Sequence, residues 1–363
     1  MIVTAQAGVI SRVSNCDYIS IVKRRIKKIE AASPGTIAAP TIGELEQALG
    51  RSVVSCELWR KNWRNRIYRV QLASGEPVVA KQVVLGDAAM VQYQYDQLAA
   101  LAGLAIPHLR IPRALALIPR KRTLVMEFAF GQTLRELARH GKSVDHLASI
   151  CELSGQILAR IHLVWTQKIA PMPVEALACD LAAAPWHLSF REKNTLEAAL
   201  KVLAEAKVSM GQVCYDYQSK NLLYDDGELW LIDPPDSMWE GIHLWDYSRF
   251  RGGLRRMLWR INLRRPLERK RQAALRETMS AFKRGYIERF NKQHPEPIFF
   301  AATTRLLEIQ HTGMSMATNQ GKLNLARKGR PGFLGAAKAG LTTLPLLEME
   351  KRWLFQQLAR ELP

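Results

Sequence analysis

Asp216, Asn221 and Asp233 are the residues of this chain whose types and spacing most clearly suggest chemistry. They lie in one segment, Val213-Cys-Tyr-Asp-Tyr-Gln-Ser-Lys-Asn-Leu-Leu-Tyr-Asp-Asp-Gly-Glu-Leu-Trp-Leu-Ile-Asp233. By themselves Asp216 and Asn221, in a D-x-x-x-x-N spacing, fit a turn or a helix cap equally well. The residues between them and Asp233 change that reading. Leu222 to Tyr224 and Leu229 to Ile232 flank Asp226-Gly227, a dipeptide suited to a tight hairpin turn. Antiparallel pairing brings the two ends of such a hairpin together, so two carboxylates and a carboxamide can converge on one point. An all-oxygen set of this kind suits a hard cation such as magnesium, which keeps water or phosphate in its remaining positions.

The elements that would position this segment can be read on either side of it. Residues 1–50 read as an extension, with a Pro- and Ala-rich linker from Ala31 to Pro40 and a short helix from Ile42 to Leu49 stopped by Gly50. Short β-type runs follow at Ile67 to Leu72 and Val78 to Val84, around a turn at Ser74-Gly75, and a third runs from Thr123 to Phe128 toward Gly131. A helix is expected from Met90 to Leu101. Beyond residue 131, Val144, Leu147, Cys151, Leu158, Ile161 and Trp165 share one face of a long helix, interrupted only by the small Ser154. Further helices are expected at Lys193 to Val208, Leu267 to Asn291, Thr303 to Met316 and Glu348 to Leu362. The pattern predicts an α+β protein in two lobes, a β-rich one over residues 51–130 and a helical one over residues 131–363.

The segment from Asp216 to Asp233 resembles the kinase-like phosphotransferases, the group that contains aminoglycoside and choline kinases, in which it runs H-G-D-x-x-x-x-N, hairpin, I-D. The resemblance covers about residues 53–250 and implies a protein-kinase-like fold that uses ATP and magnesium to phosphorylate a hydroxyl group. It implies that Asp216 positions and deprotonates the acceptor hydroxyl and that Asn221 and Asp233 hold magnesium. Lys81, at the end of the apolar run Val78-Val79-Ala80, is then the strand lysine that grips the α- and β-phosphates. Asn65-Arg-Ile-Tyr-Arg-Val70 is similar to the strand after the phosphate-covering loop, which sets Asn65 and Arg66 beside the nucleotide. Leu124-Val-Met-Glu-Phe128 is similar to the hinge between lobes, whose backbone at Glu127 and Ala129 would meet adenine. Leu158-Ala-Arg-Ile-His162 resembles the family's L-A-x-L-H segment, with His162 a structural hydrogen-bonding residue, and Trp245-Asp246-Tyr247 resembles its D-L-A element, with Asp246 bracing the loop of Asp216.

The chain departs from the family pattern at several places. Trp59-Arg-Lys-Asn-Trp-Arg64, where the phosphate-covering loop belongs, has no glycine. Gln94 stands where a glutamate would pair with Lys81, with Asp96 nearby. Cys214 and Tyr215 replace His-Gly, and Pro234-Pro235 follow Asp233. A catalytically inactive nucleotide-binding scaffold is the alternative that these changes keep open.

Fifty-two lysines and arginines against 33 acids give a formal charge of +19, which points to an anionic partner. Eleven of those bases lie between Arg249 and Arg276 against the single acid Glu268. Arg256, Arg260 and Arg264 recur at i, i+4 beside Leu254, Leu258 and Ile261, as in a basic amphipathic helix suited to an anionic membrane surface, or simply an arginine-covered solvent face. Nucleic acid ranks below these, because no recognised binding motif accompanies the charge. The same charge argues against a polycationic aminoglycoside and for a neutral or anionic acceptor. Five scattered cysteines without a C-x-x-C pair, and an N-terminus whose basic run Lys23 to Lys28 follows its apolar residues, lead us to expect a cytoplasmic protein, at most peripheral to a membrane.

Overall fold

The computed structural model describes residues 37–362 apart from 63, 85–86, 140–143, 215, 234–238, 265–268, 291–296 and 329–333. Cys16, the basic run Lys23 to Lys28, Trp63, Tyr215, Pro234 and Pro235 lie outside the described residues.

The first lobe is built on an antiparallel sheet. Along the chain come β1 (Val53–Lys61), β2 (Asn65–Leu72), β3 (Pro77–Val83), the short β4 (Leu109–Arg110), β5 (Ala114–Ile118) and β6 (Thr123–Glu127). The sheet orders them β1-β2-β3-β6-β5. Side chains alternate between its faces. Tyr68, Val70, Val78, Ala80 and Val125 turn outward and bury Leu45 of helix α1 (Ile42–Leu49) in a small separate core. Thr41 and Glu44 form a reciprocal capping box at the start of α1, and Gly50 ends it at φ 64°. Val79, Val83, Leu124 and Met126 turn inward, onto helix α2 (Ala88–Ala102) and the main core.

The hinge leaves β6 and reaches Gly131 at φ +105°, where a Cβ would lie 2.3 Å from the carbonyl oxygen of Tyr224. Only glycine lets the chain pass this close to the hairpin. Just beyond it, β7 (Gln132–Thr133) joins a second small sheet, and helix α3 (Leu134–Arg139) follows.

The helical lobe is centred on α4 (Val144–Trp165), whose Leu147, Cys151, Leu158 and Ile161 are buried together with Ser154. The chain continues through β8 (Thr166–Pro171), α5 (Val174–Ala183), α6 (Phe190–Leu203) and β9 (Lys207–Val213), then the hairpin β10 (Leu222–Asp225) and β11 (Glu228–Leu231). It ends with β12 (Trp239–Ile242) and helices α7 (Leu244–Arg264), α8 (Arg269–Phe290), α9 (Pro297–Arg327) and α10 (Leu334–Glu361). β10 lies between β7 and β11, and β12-β9-β8 form a third sheet. α4 and α8 cross almost backbone to backbone. A Cβ on Gly285 would stand 2.1 Å from the Glu152 carbonyl oxygen, and one on Gly155 would stand 2.4 Å from that of Phe282.

Two sequence expectations are corrected. The helix expected from Lys193 to Val208 ends at Leu203, and Val208 belongs to β9, a buried strand fixed by its pairing with β8 and β12 rather than by a pattern of its own. The expected Thr303 to Met316 and Glu348 to Leu362 are parts of the longer α9 and α10, the latter passing through Pro345. Among the described residues, His146–Trp165 is the one helix long and apolar enough to cross a membrane, and it is packed into the lobe as its spine.

Candidate active site

The hairpin does what its sequence suggests. Leu222 faces Leu231 and Asp225 faces Glu228 across the turn at Asp226-Gly227, both of which have positive φ. At the open end the amide of Ile232 donates to the carbonyl oxygen of Asn221 at 3.0 Å, so Asp233 leaves the hairpin beside Asn221. The Asn221 side chain, 5% exposed, turns its nitrogen to Asp216, donating to both the backbone and the side-chain oxygen at 2.9 Å. Its carboxamide oxygen is thus the end not committed to Asp216.

Asp216 is gripped by more partners than its sequence neighbourhood suggests. Arg249, near the start of α7, donates from Nη2 to Oδ1 at 3.0 Å, Gln218 donates to the same oxygen, and Lys220 Nζ lies 3.6 Å from Oδ2. Burial alone would raise the carboxyl's pKa. The charges of Lys220 and Arg249 and the hydrogen bonds from Arg249 and Asn221 outweigh it and hold the group well below the usual carboxylate range.

The loop carrying Asp216 is fixed from behind by a buried polar chain. The Cys214 amide donates to Asp246 Oδ2 at 2.6 Å, and His162 Nε2 meets the same oxygen at 3.3 Å. His162 Nδ1 lies 2.9 Å from the hydroxyl of Tyr286, and the ring stacks on His243 with centroids 4.4 Å apart. Burial pushes His162 down to a pKa of about 3, so it is neutral at ordinary pH. A neutral ring donating to Asp246 and accepting from Tyr286 satisfies both nitrogens. Cys214, in place of the family histidine, has its thiol pKa raised well above the ordinary value by burial and by Asp246.

From the first lobe comes Lys81, buried at 3% exposure and ion-paired with Asp233. It lies opposite Ile67 on β2 and Leu124 on β6, on the sheet face turned toward the helical lobe. Asn65, two positions from Ile67, shares that face. Arg66 does not, and this corrects the expectation that it sits beside the nucleotide. Strand alternation turns it to the outer face, where it donates to the carbonyl oxygen of Ile37 at 2.8 Å and reaches Gln82. Asp96 is exposed and accepts from Gln92, so it is not the partner of Lys81.

The glycine-free loop is shorter than its sequence suggests, because Trp59 to Lys61 belong to β1. Its turn is organised by the Asn62 side chain, whose oxygen accepts from the amides of Arg64 at 2.8 Å and Asn65 at 2.7 Å. At the hinge, the Glu127 amide donates to the Arg113 carbonyl oxygen at 2.9 Å, and half-buried Ala129 follows in irregular backbone. Trp59 stacks on Phe128 with centroids 5.6 Å apart, and Arg60 reaches across to Glu136 of α3 at 3.9 Å. The donor set around the hairpin is all oxygen and fits magnesium by its chemistry, with Asp233 already carrying a cationic partner in Lys81.

A sequence profile of the phosphotransferase enzyme family, APH, matches residues 55–293. The chain belongs to that family. Among curated protein sequences none matches it. Solved structures do. The amicoumacin kinase hAmiN, in complex with AMP-PNP, Ca2+ and Ami, is 16% identical over 93% of this chain and 96% of its own, with a TM-score of 0.55. A thermostable mutant of aminoglycoside phosphotransferase APH(4)-Ia, in ternary complex with AMP-PNP and hygromycin B, is 14% identical over 88% of this chain and 99% of its own, at 0.55. A Ralstonia eutropha JMP134 protein provisionally named an aminoglycoside phosphotransferase is 15% identical over 93% and 98%, at 0.57. At these identities the likeness shows the fold, which is the two-lobed kinase-like one.

Several features of this phosphotransferase had no sequence signal. Arg249 is 33 residues from Asp216, and nothing in its neighbourhood marks it as that residue's partner. The arginine-rich helix is also corrected. In α7, Arg251 and Arg255 face the fully buried Glu308, Arg255 and Arg256 pair with the fully buried Glu350, and Arg255 lies over the ring of Trp353. These arginines join α7 to α9 and α10 inside the lobe; of the set the spacing placed on a solvent or membrane face, Arg256 is turned inward in this way, whereas Arg260 is exposed and donates to the Thr343 hydroxyl at 3.3 Å. Buried carboxylates demand such partners.

Proposed function

We propose that the chain transfers the γ-phosphoryl group of ATP, with magnesium, to a hydroxyl of a small-molecule, sugar or lipid-linked acceptor that is neutral or anionic. The observation that carries this reading is the junction of the lobes at one point, with Lys81 on Asp233 and Asp216 on Asn221 at the root of the same hairpin. Family membership supports the reaction class, and structural neighbours bound to AMP-PNP and small-molecule acceptors support the nucleotide and the kind of acceptor.

In this reading Asn221 and Asp233 would hold magnesium, which would supply neutralisation of the phosphate charge. Lys81 holds the α- and β-phosphates, Asn65 lies beside them on the same sheet face, and the backbone at Glu127 and Ala129 receives the adenine. The acceptor oxygen bonds to the γ-phosphorus, the bond from that phosphorus to the β,γ-bridging oxygen breaks, ADP leaves, and the acceptor proton passes to Asp216. A carboxylate held so firmly in its ionised form is a weak base. Asp216 therefore acts first by accepting the hydroxyl's hydrogen bond and aiming it, and takes the proton only as the new bond nears completion, as a loose transition state allows. The free cysteines Cys56, Cys151, Cys179 and Cys214 support a reducing compartment, and we place the reaction in the cytoplasm.

The test is a pair of conservative variants. Asp233→Asn should weaken magnesium-dependent ATP binding without unfolding the protein, and Asp216→Asn should spare that binding but lower turnover by roughly 10²- to 10⁴-fold. Unchanged magnesium-ATP affinity in Asp233→Asn would remove the assignment. Wild-type protein that binds ATP but phosphorylates no acceptor would favour a nucleotide-binding scaffold.

A further inference from the structure

β1 ends in a bulge whose effect falls on the candidate nucleotide cleft. Leu58 stands opposite Tyr68, which turns outward, while Arg60 stands opposite Ile67, which turns inward, so Trp59 is an extra residue between them. Two apart on a regular strand, Leu58 and Arg60 would share one face. The inserted Trp59 instead puts Arg60 on the inner face, in line with Ile67, Lys81 and Leu124 across the sheet.

Both side chains so placed reach across the mouth of the cleft. Arg60 comes to Glu136 of α3 at 3.9 Å and joins the β-rich lobe to the helical one. Trp59 stacks on Phe128 with centroids 5.6 Å apart, and Arg69, inner-facing opposite Val79, lies over the same ring at 5.5 Å. Phe128 stands between Glu127 and Ala129, the two hinge residues whose backbone receives adenine in the phosphotransferase reading. A nucleotide running from that backbone to Lys81 therefore has Trp59 and Arg60 along its β1 side. The turn after them is poorly equipped to retain it. Its amides at Arg64 and Asn65 already donate to the Asn62 side chain, at 2.8 and 2.7 Å, rather than standing open to cradle phosphate.

We propose that Trp59 and Arg60 retain the nucleotide as a latch: they tie β1 to the hinge through Phe128 and to α3 through Glu136, and nucleotide enters and leaves when these ties part. This inference rests on the phosphotransferase reading and adds to it the residues that keep the nucleotide in place. Each tie joins protein to protein, so it raises a barrier that entry and exit share. Losing a tie should speed both and leave the dissociation constant nearly unchanged. Losing a side chain that grips the nucleotide itself would speed exit alone.

The latch is tested on the full chain without turnover. Stopped-flow fluorescence with mant-AMP-PNP and magnesium measures both rates, and calorimetry with unlabelled AMP-PNP gives the dissociation constant free of the label. Trp59→Ala should raise the association and dissociation rate constants together by roughly 3- to 10-fold, the range that one aromatic pair allows. Trp59→Phe, which can still stack, should stay near wild type. Glu136→Gln keeps an oxygen to accept from the Thr133 amide and hydroxyl, and so keeps the cap of α3, but loses the charge that meets Arg60. It should raise both rates by about 2- to 5-fold at low salt and by less at high salt. Rates that do not move in Trp59→Ala and Glu136→Gln, while AMP-PNP binds normally, overturn the latch and leave the phosphotransferase reading standing. Faster exit with unaltered entry and weakened affinity also overturns it, since Trp59 would then be a direct ligand of the nucleotide. Wild type that binds no AMP-PNP removes the nucleotide site and the latch with it.

Discussion

Lowering the pH should destabilise this protein well before its carboxylates titrate, and His162 sets the onset. In the unfolded chain a histidine takes up a proton near pH 6.5, whereas in the fold burial holds His162 down to about 3. Between those values the unfolded state binds one more proton than the native state, so stability rises with pH and is lost as the solution is acidified. At pH 5.0, about 1.5 units below the unfolded value, the loss relative to pH 7.5 is about 2 kcal/mol from this one ring. His311 has its pKa lowered well below the ordinary value, chiefly by burial, and steepens the fall. Below about pH 4.5 the depressed carboxylates Asp216 and Glu308 join in.

The consequence reaches the site because His162 shares one oxygen of Asp246 with the amide of Cys214, and Cys214 stands two residues before Asp216. A protonated His162 could no longer accept from Tyr286, so the ring takes up its proton only when the brace behind the loop opens with the fold. Urea unfolding at pH 7.5 and 5.0 measures the effect. Wild type should lose about 2 kcal/mol more over this interval than His162→Gln, which cannot titrate. Enzyme that stays folded should show no acid limb from Asp216 down to pH 5. Equal pH dependence in wild type and His162→Gln would refute the reasoning.

Two further predictions concern the fold that holds the site. Glu308→Gln leaves Arg251, Arg255 and Arg305 around a neutral amide in a fully buried place, and should cost about 3–5 kcal/mol by denaturant melts, whereas an exposed-pair variant such as Glu76→Gln at Arg51 should cost under about 1 kcal/mol. Gly285→Ala drives a methyl into the Glu152 carbonyl at the crossing of α4 and α8, and should destabilise by about 3 kcal/mol or more, while Gly253→Ala in α7, where a Cβ meets nothing, should be neutral or mildly stabilising in the same melts.

The chemistry of the hairpin was legible in the sequence because it is local. Asp226-Gly227 fixes the turn, the turn fixes the register, and the register brings Asn221 and Asp233 to one end, all within 18 residues. Helix α1 was legible to the residue for the same reason, since Thr41, Glu44 and Gly50 form its caps. The two-lobe order followed from where period two gave way to period 3.6, and the family resemblance from motifs that keep their order along the chain.

What the sequence could not decide is which cation meets which anion. The spacing of Arg251, Arg255 and Arg256 describes only a helix. Whether its arginines face water or Glu308 and Glu350 depends on where α9 and α10 pack, 50 to 100 residues away. Arg249 reaches Asp216 across 33 residues of chain in the same way. Arg66 shows the same limit within a single strand, because a one-residue step changes the sheet face and only the pairing with β3 says which face holds Lys81. Turns, caps and periods are set by bonded neighbours and by the preferences of the backbone, so a sequence carries them directly. Ion pairs depend on through-space distance, and that is fixed only when the lobes and their helices have packed.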